Sequence, residues 1–165
     1  MARNPFLHRI VKRLRDSSGG SLVEAALITP LLLLLTFGIC DFGAMFYVYL
    51  ALENGVSQAT RYGVTGNLMN DPMNPSTQLS RADSMKTAMR QATPTLTLPD
   101  GYFTFSHLPV GSATWVAGVG GPGEIEKLTV NYTWTFLTPL IRPFFPGGQL
   151  AIQVDSSMKN EQRFN

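Results

Sequence analysis

The chain has 165 residues, 44% of them hydrophobic, and carries a net charge of +2, which leaves room for one small domain beside a membrane segment. Residues 1–19 hold five basic and one acidic side chain, whereas the rest of the chain holds eight basic and ten acidic ones. The positive charge therefore belongs to a leader, which argues against a nucleic-acid-binding face elsewhere. The single cysteine, Cys40, excludes an internal disulfide.

Residues 1–19 form a basic leader in which apolar side chains recur at helical spacing. A segment of this kind lies on the inner surface of a membrane. It ends in a joint of small residues, Ser17 to Gly20. We expect the leader to remain in the cytoplasm.

An apolar run follows, from Leu22 to about Tyr49. It exceeds the roughly 20 apolar residues that a helix needs to cross the hydrocarbon, and therefore predicts a transmembrane helix. The basic flank precedes the run, and no cluster of Lys or Arg follows it, so the C-terminal part is expected on the extracytoplasmic side. A secretory signal would carry its small residues after the apolar region, whereas here they precede it.

Three residues are unusual in this helix. A carboxylate at the centre of a membrane span costs about 2.5–3.5 kcal/mol, and less near an interface. Asp41 is interpreted as a boundary residue at the outer end. Glu24, near the inner end, either snorkels to the interface or pairs with an amine. Pro30 removes one helical hydrogen bond, which predicts either a simple bend or a turn that loosens when the helix leaves lipid.

The helical period continues beyond the membrane. Apolar or small residues are spaced by four, three and four positions from Leu52 to Gly63, and the helix is predicted to end near Gly66. A second helix is expected from Asn74, as its N-cap, to Ala92. The predicted organisation is therefore a leader (1–19), a long helix (20–66) and a small extracytoplasmic domain (67–165).

Strand patterns follow Pro94, and the expected fold is α+β with an antiparallel sheet. The clearest alternation of apolar and polar residues runs from Leu128 to Phe136. The other predicted strands are Tyr102–Leu108, Ala113–Val119 and Leu150–Asp155.

The connection 138–148 contains three prolines, which prevent a continuous strand. It is nonetheless strongly apolar, with Leu140, Ile141, Phe144 and Phe145. These side chains either fold back onto the sheet as core, or form an exposed patch that contacts a partner or the outer leaflet of the membrane.

The residues offer no recognisable catalytic or cofactor site. His8 and His107 are predicted on opposite sides of the membrane, so one chain cannot form a His-pair metal site. The glycine pattern from Gly118 to Gly123 leads into a strand instead of a helix, which indicates a turn and not a dinucleotide site. We therefore expect no enzyme activity, cofactor, metal or small-molecule substrate.

The spacing of Gly19 and Glu24 before an apolar helix resembles the prepilin-peptidase site of type IV pilins and pseudopilins. The chain is more specifically similar to the TadE/TadG-like proteins of tight-adherence (Flp) pilus systems. This similarity is carried by Val23 to Leu27, Pro30 to Leu35, Phe37-Gly38, Asp41-Phe42-Gly43, Ala59 to Gly63, Val130-Asn131-Tyr132, Thr138-Pro139-Leu140, Pro143, Gly147 to Leu150 and Ser157 to Glu161. Ala25 stands where the family commonly carries an aromatic residue.

The resemblance implies a pilin-like fold and a minor pseudopilin of the inner membrane. A prepilin peptidase would cleave between Gly19 and Gly20, with N-methylation of Gly20, and Glu24 would pair with the amine of Gly20. The implied partners are the peptidase, the inner-membrane assembly platform, membrane lipid and other pilin or pseudopilin subunits. Two alternatives stay open: a signal-anchored extracytoplasmic enzyme or binding protein, and a static scaffold that never enters the fibre.

Overall fold

The computed structural model describes residues 18–164. Residues 1–17 of the predicted leader therefore lie outside the described residues. The chain divides into two compact units, with the boundary between Cys40 and Asp41.

Helix α1 spans Ser18–Val64 and contributes the described part of the first unit up to Cys40. Its apolar side chains there are exposed, as shown by Leu22 (73%), Leu31 (67%) and Ile39 (66%). The segment Gly20–Val64 is long and apolar enough to cross a membrane. Such a surface is costly in water, at about 25 cal/mol per Å², and is the surface expected of a helix that faces lipid. The helix continues through Pro30, and the bend and the loosening considered for this turn both stay predictions.

The second unit begins with the remainder of α1, which ends as predicted near Gly66. Gly66 has a φ of +70°, and a Cβ at this position would lie 2.3 Å from Cγ of Phe164. Only glycine meets both conditions without strain.

Helix α2 spans Arg81–Ala92. It ends where predicted but begins later, because Ser80 and not Asn74 is its N-cap. The Ser80 side chain accepts a hydrogen bond from the Asp83 backbone N–H at 3.1 Å, and its hydroxyl donates to the Asp83 carboxylate at 2.6 Å. The Asn74 carbonyl instead accepts a bond from the Thr77 backbone within a turn. The Ser80 hydroxyl thereby satisfies one of the free backbone donors of the first turn, and the Asp83 carboxylate holds that hydroxyl in place.

Hydrogen bonds also affect the electrostatics of this cap. The bond from Ser80 lowers the pKa of Asp83, and a bond from Lys86 lowers it further. Asp83 therefore remains ionised at neutral pH, as suits a carboxylate at a helix N-terminus.

The sheet contains four antiparallel strands in the order β2-β1-β3-β4. Their bounds are β1 Phe103–Leu108, β2 Val116–Ala117, β3 Ile125–Thr135 and β4 Gln149–Lys159. With the long apolar helix and the second helix, this sheet confirms the predicted α+β fold.

The strand bounds differ in places from those predicted. Strand β2 has two residues where seven were expected, because residues 113–115 do not adopt strand structure and Gly118, with a φ of +105°, ends the strand. Strands β3 and β4 extend further than expected, and they pair along their whole length from Ile125 opposite Lys159 to Thr135 opposite Gln149. Consecutive polar residues in these extensions break the alternation of apolar and polar residues, so the sequence did not predict them as strand.

The core of the second unit combines both helices with one face of the sheet. The buried apolar residues are Val48, Leu52, Val56, Ala59, Met85, Met89, Leu98, Phe103, Leu128, Val130, Trp134, Phe136, Ile141, Ile152 and Val154. The period predicted for residues 52–63 is thus the buried face of α1.

Candidate functional site

The predicted processing segment lies in the first turns of α1. Gly20 is exposed, and a Cβ at this position would meet no heavy atom within 4 Å. The Glu24 side chain is also exposed. Residues four apart lie on the same face of an α-helix with a rise of about 6 Å. Gly20 and Glu24 are therefore neighbours on one open helix face.

This arrangement would allow an ion pair to form after cleavage. An amine created at Gly20 would lie beside a carboxylate that nothing else covers. Where water is excluded, such charges stabilise each other only if they pair, within the chain or with a neighbouring copy. The roles of Gly19, Gly20 and Glu24 remain predictions, since they require the cleaved protein.

Asp41 has a structural role that the sequence did not reveal. Its carboxylate is 1% exposed and accepts backbone hydrogen bonds from Leu137 at 3.0 Å and from Thr138 at 2.8 Å. These residues begin the proline-rich loop after β3. Asp41 is thus more than a boundary residue, because it fixes that loop to α1 within the second unit.

The aromatic residues beside Asp41 complete this attachment. The rings of Phe136 and Phe145 stack with centroids 4.2 Å apart, and Phe42 meets each of them edge to face at 5.6 and 6.2 Å. Aromatic pairs in these geometries contribute about 0.5–1.5 kcal/mol each beyond their buried area.

The loop divides its four predicted apolar residues between two environments. Ile141 is buried, and Phe145 is partly buried against the core. Leu140 is 49% exposed and Phe144 is 71% exposed. Ile141 and Phe145 thus belong to the core, whereas a contact made by Leu140 and Phe144 stays a prediction.

A polar cluster lies at the other end of β3. Glu126 is fully buried and forms an ion pair with Arg81, whose guanidinium also stacks on the ring of Phe164 at 4.6 Å. Burial lowers the pKa of Arg81, while the charge of Glu124 raises it. The pair joins α2 to the sheet, and losing either partner would leave an uncompensated buried charge.

His107 lies next to this cluster. Its Nδ1 is 3.1 Å from the carbonyl oxygen of Gly118, and its Nε2 is 3.8 Å from Oε2 of Glu124. Among residues 18–164 no three His, Cys, Asp or Glu side chains come together as a metal site would require. The glycine pattern from Gly118 to Gly123 is a turn that leads into β3, as predicted.

Comparison with known proteins gives one result. Neither a curated protein nor a solved structure matches the chain significantly. Residues 19–61 match the family model described as TadE-like protein. This segment begins at Gly19, contains Glu24 and Asp41, and ends within α1. Over residues 19–61 the chain is therefore similar to TadE-like proteins, in agreement with the resemblance found in its sequence.

Proposed function

We propose that this protein is a minor pseudopilin that primes or tips a tight-adherence pilus. The TadE-like match points to a component of such a pilus, and it is the observation that carries the proposal. In this role the protein is a structural subunit and not an enzyme.

The proposed pathway starts from an inner-membrane precursor with its N-terminus in the cytoplasm. The leader carries five basic side chains, which hold the helix end at the inner surface. A prepilin peptidase cuts between Gly19 and Gly20 and removes that charge. The apolar surface of α1, exposed from Leu22 onward, can then exchange lipid contacts for contacts with other subunits.

Glu24 supplies register in this account. A carboxylate in an apolar assembly is costly unless it pairs, and the new amine of Gly20 is its closest match in charge. Pairing with the amine of a neighbouring subunit fixes the axial position of one helix against the next.

The folded second unit supports a minor role over a major one. It contains a complete four-stranded sheet and a core of its own. The resemblance to Flp pilus proteins implies that a major subunit of this pilus class is little more than the helix. A subunit with an added domain suits a position that is filled a few times per fibre, such as the tip.

The experiment compares sheared extracellular fibres with the membrane fraction of the same cells, using an antibody against this chain. We expect the protein in both fractions. Glu24→Gln should lower its amount in fibres by about tenfold, which corresponds to roughly 1.4 kcal/mol of lost pairing, while leaving the membrane fraction unchanged. Glu53→Gln is the matched control, since Glu53 lies on the same helix but accepts a hydrogen bond from the Tyr49 hydroxyl within the second unit.

Two results would count against the proposal. Absence of the wild-type protein from fibres would indicate a static scaffold of the pilus machine. Normal incorporation of the Glu24→Gln protein would remove the register role of this carboxylate.

A further inference from the structure

The loop after β3 exposes three large apolar side chains. Leu137 is 66% exposed, Leu140 is 49% exposed and Phe144 is 71% exposed. We call these three residues the loop rim. Exposed apolar residues that occur together mark a contact surface more often than isolated ones do.

The loop rim is attached where the exposed apolar helix segment ends. Asp41 binds the backbone N–H groups of Leu137 and Thr138, and Asp41 directly follows Cys40, the last residue of the first unit. From Gly20 to Cys40 an α-helix rises about 30 Å, which equals the thickness of a bilayer's hydrocarbon core. If this segment spans the bilayer, the start of the loop is fixed at the membrane surface.

The composition of the loop matches that surface. Residues 137–148 contain one charged side chain, Arg142, and no acidic one. Arg142 is exposed, and its Nε donates to the carbonyl oxygen of Phe136 at 2.8 Å, which orients the guanidinium. Apolar and aromatic side chains beside an arginine are typical of the lipid interface, where the cation meets headgroup phosphates.

The helix continues this pattern just beyond Asp41. Tyr47 is 61% exposed, and tyrosine is enriched where a span leaves the membrane. Phe46, which is 58% exposed, adds apolar surface beside it. The loop is linked to the end of the span by the hydrogen bonds of Asp41. Phe46 and Tyr47 are linked to it by a short stretch of helix.

From these observations we infer that the loop rim contacts the lipid surface, with Leu137, Leu140 and Phe144 entering the interface and Arg142 facing the phosphates. The contact holds the second unit against the outer leaflet before assembly. The inference requires the membrane span of the proposed function, but neither cleavage at Gly19 nor entry into a fibre. A partner protein is the competing occupant, and the chain's own continuity with the span favours lipid.

The test uses the purified full chain in vesicles of phosphatidylethanolamine and phosphatidylglycerol that carry bromine on their acyl chains. Phe144→Trp places a fluorophore in the loop rim, and Val110→Trp is the control. Val110 is 78% exposed and follows β1, whose last residue Leu108 pairs with Ile125 at the start of β3. The loop rim leaves the other end of β3, about 35 Å away for an 11-residue strand. The parent protein corrects for Trp115 and Trp134.

We expect the brominated lipid to quench Trp at position 144 at least about twofold more than Trp at position 110. Bromine on an acyl chain quenches only a fluorophore that comes into contact with it, and position 144 is the one expected to enter the membrane interface. Equal quenching at the two positions, in protein that floats with the vesicles, would overturn the inference. A blue-shifted emission at position 144 without quenching would also overturn it, and would indicate burial against a second protein molecule. Failure of the protein to float would instead contradict the membrane span itself, and with it the proposed function.

Discussion

Asp41 shows how a single residue can connect distant parts of this chain. Its buried carboxylate accepts bonds from Leu137 and Thr138, and the aromatic group of Phe42, Phe136 and Phe145 packs beside it. The polar group is tolerated because backbone donors surround it, as buried carboxylates require.

Replacing Asp41 should therefore destabilise the second unit. Asp41→Ala leaves two backbone donors without their acceptor and is expected to lower the free energy of unfolding by about 2 kcal/mol. Asp41→Asn should cost less, because the amide oxygen still accepts one bond. The measurement is the urea midpoint of the full chain in detergent micelles, followed by tryptophan fluorescence.

Asp155→Asn provides the control for this comparison, since Asp155 is exposed on β4 and its replacement should change stability by less than about 0.5 kcal/mol. If the Asp41→Ala and Asp155→Asn proteins unfold at the same urea concentration, the Asp41 contact does not stabilise the unit.

The sequence identified Asp41 as costly but did not identify its partners. Leu137 and Thr138 lie about a hundred positions away along the chain. They bind Asp41 through their backbone N–H groups, which every residue except proline has, so the side-chain pattern does not identify them. Glu24 could be singled out more easily, because its proposed partner lies four residues before it. A contact between residues a few positions apart can be predicted from their spacing, whereas a contact between distant residues is seen only in the folded structure.

At the scale of elements, α1 combines two different surfaces in one helix. Up to Cys40 its apolar side chains are exposed, and from Val48 onward one face is buried in the core. The second part packs closely against α2 through small residues. A Cβ on Gly55 would lie 2.6 Å from Cγ2 of Thr93, and one on Gly63 would lie 2.5 Å from Sδ of Met85.

A large side chain at Gly55 should force the two helices apart. We expect Gly55→Leu to lower the free energy of unfolding by about 1–3 kcal/mol, the usual cost of overpacking. Asn54→Leu introduces the same side chain one position earlier, where the helix is exposed, and should be nearly neutral. Urea unfolding of both proteins in the same detergent measures the difference, and equal midpoints would show that the helices do not pack through Gly55.

The elements themselves were largely predictable. The end of α1, the end of α2 and the alternation in β3 follow from glycine at a helix terminus and from simple periodicity. The predicted start of α2 was wrong, because Asn74 and Pro75 lie in a turn and Ser80 is the residue that caps the helix. The length of strand β2 was overestimated, because Gly118 ends the strand directly after Ala117.

At the scale of the whole molecule, the family match and the folded domain occupy different parts of the chain. The family match covers residues 19–61, which include the proposed processing and pairing residues and most of α1. The sheet and α2 lie beyond it, and their placement rests on the structure. The proposed function therefore rests on the family match, with the folded domain favouring a minor role, whereas the proposed lipid contact needs both the membrane span and the loop after β3.

The most direct test of the account is the N-terminus of the mature protein. Mass spectrometry of the chain purified from membranes of cells with an active prepilin peptidase should find Gly20 as the first residue, with or without an N-methyl group. Cells without the peptidase should retain the five basic residues of the leader. A chain that keeps residues 1–19 intact when the peptidase is active would contradict the pseudopilin account.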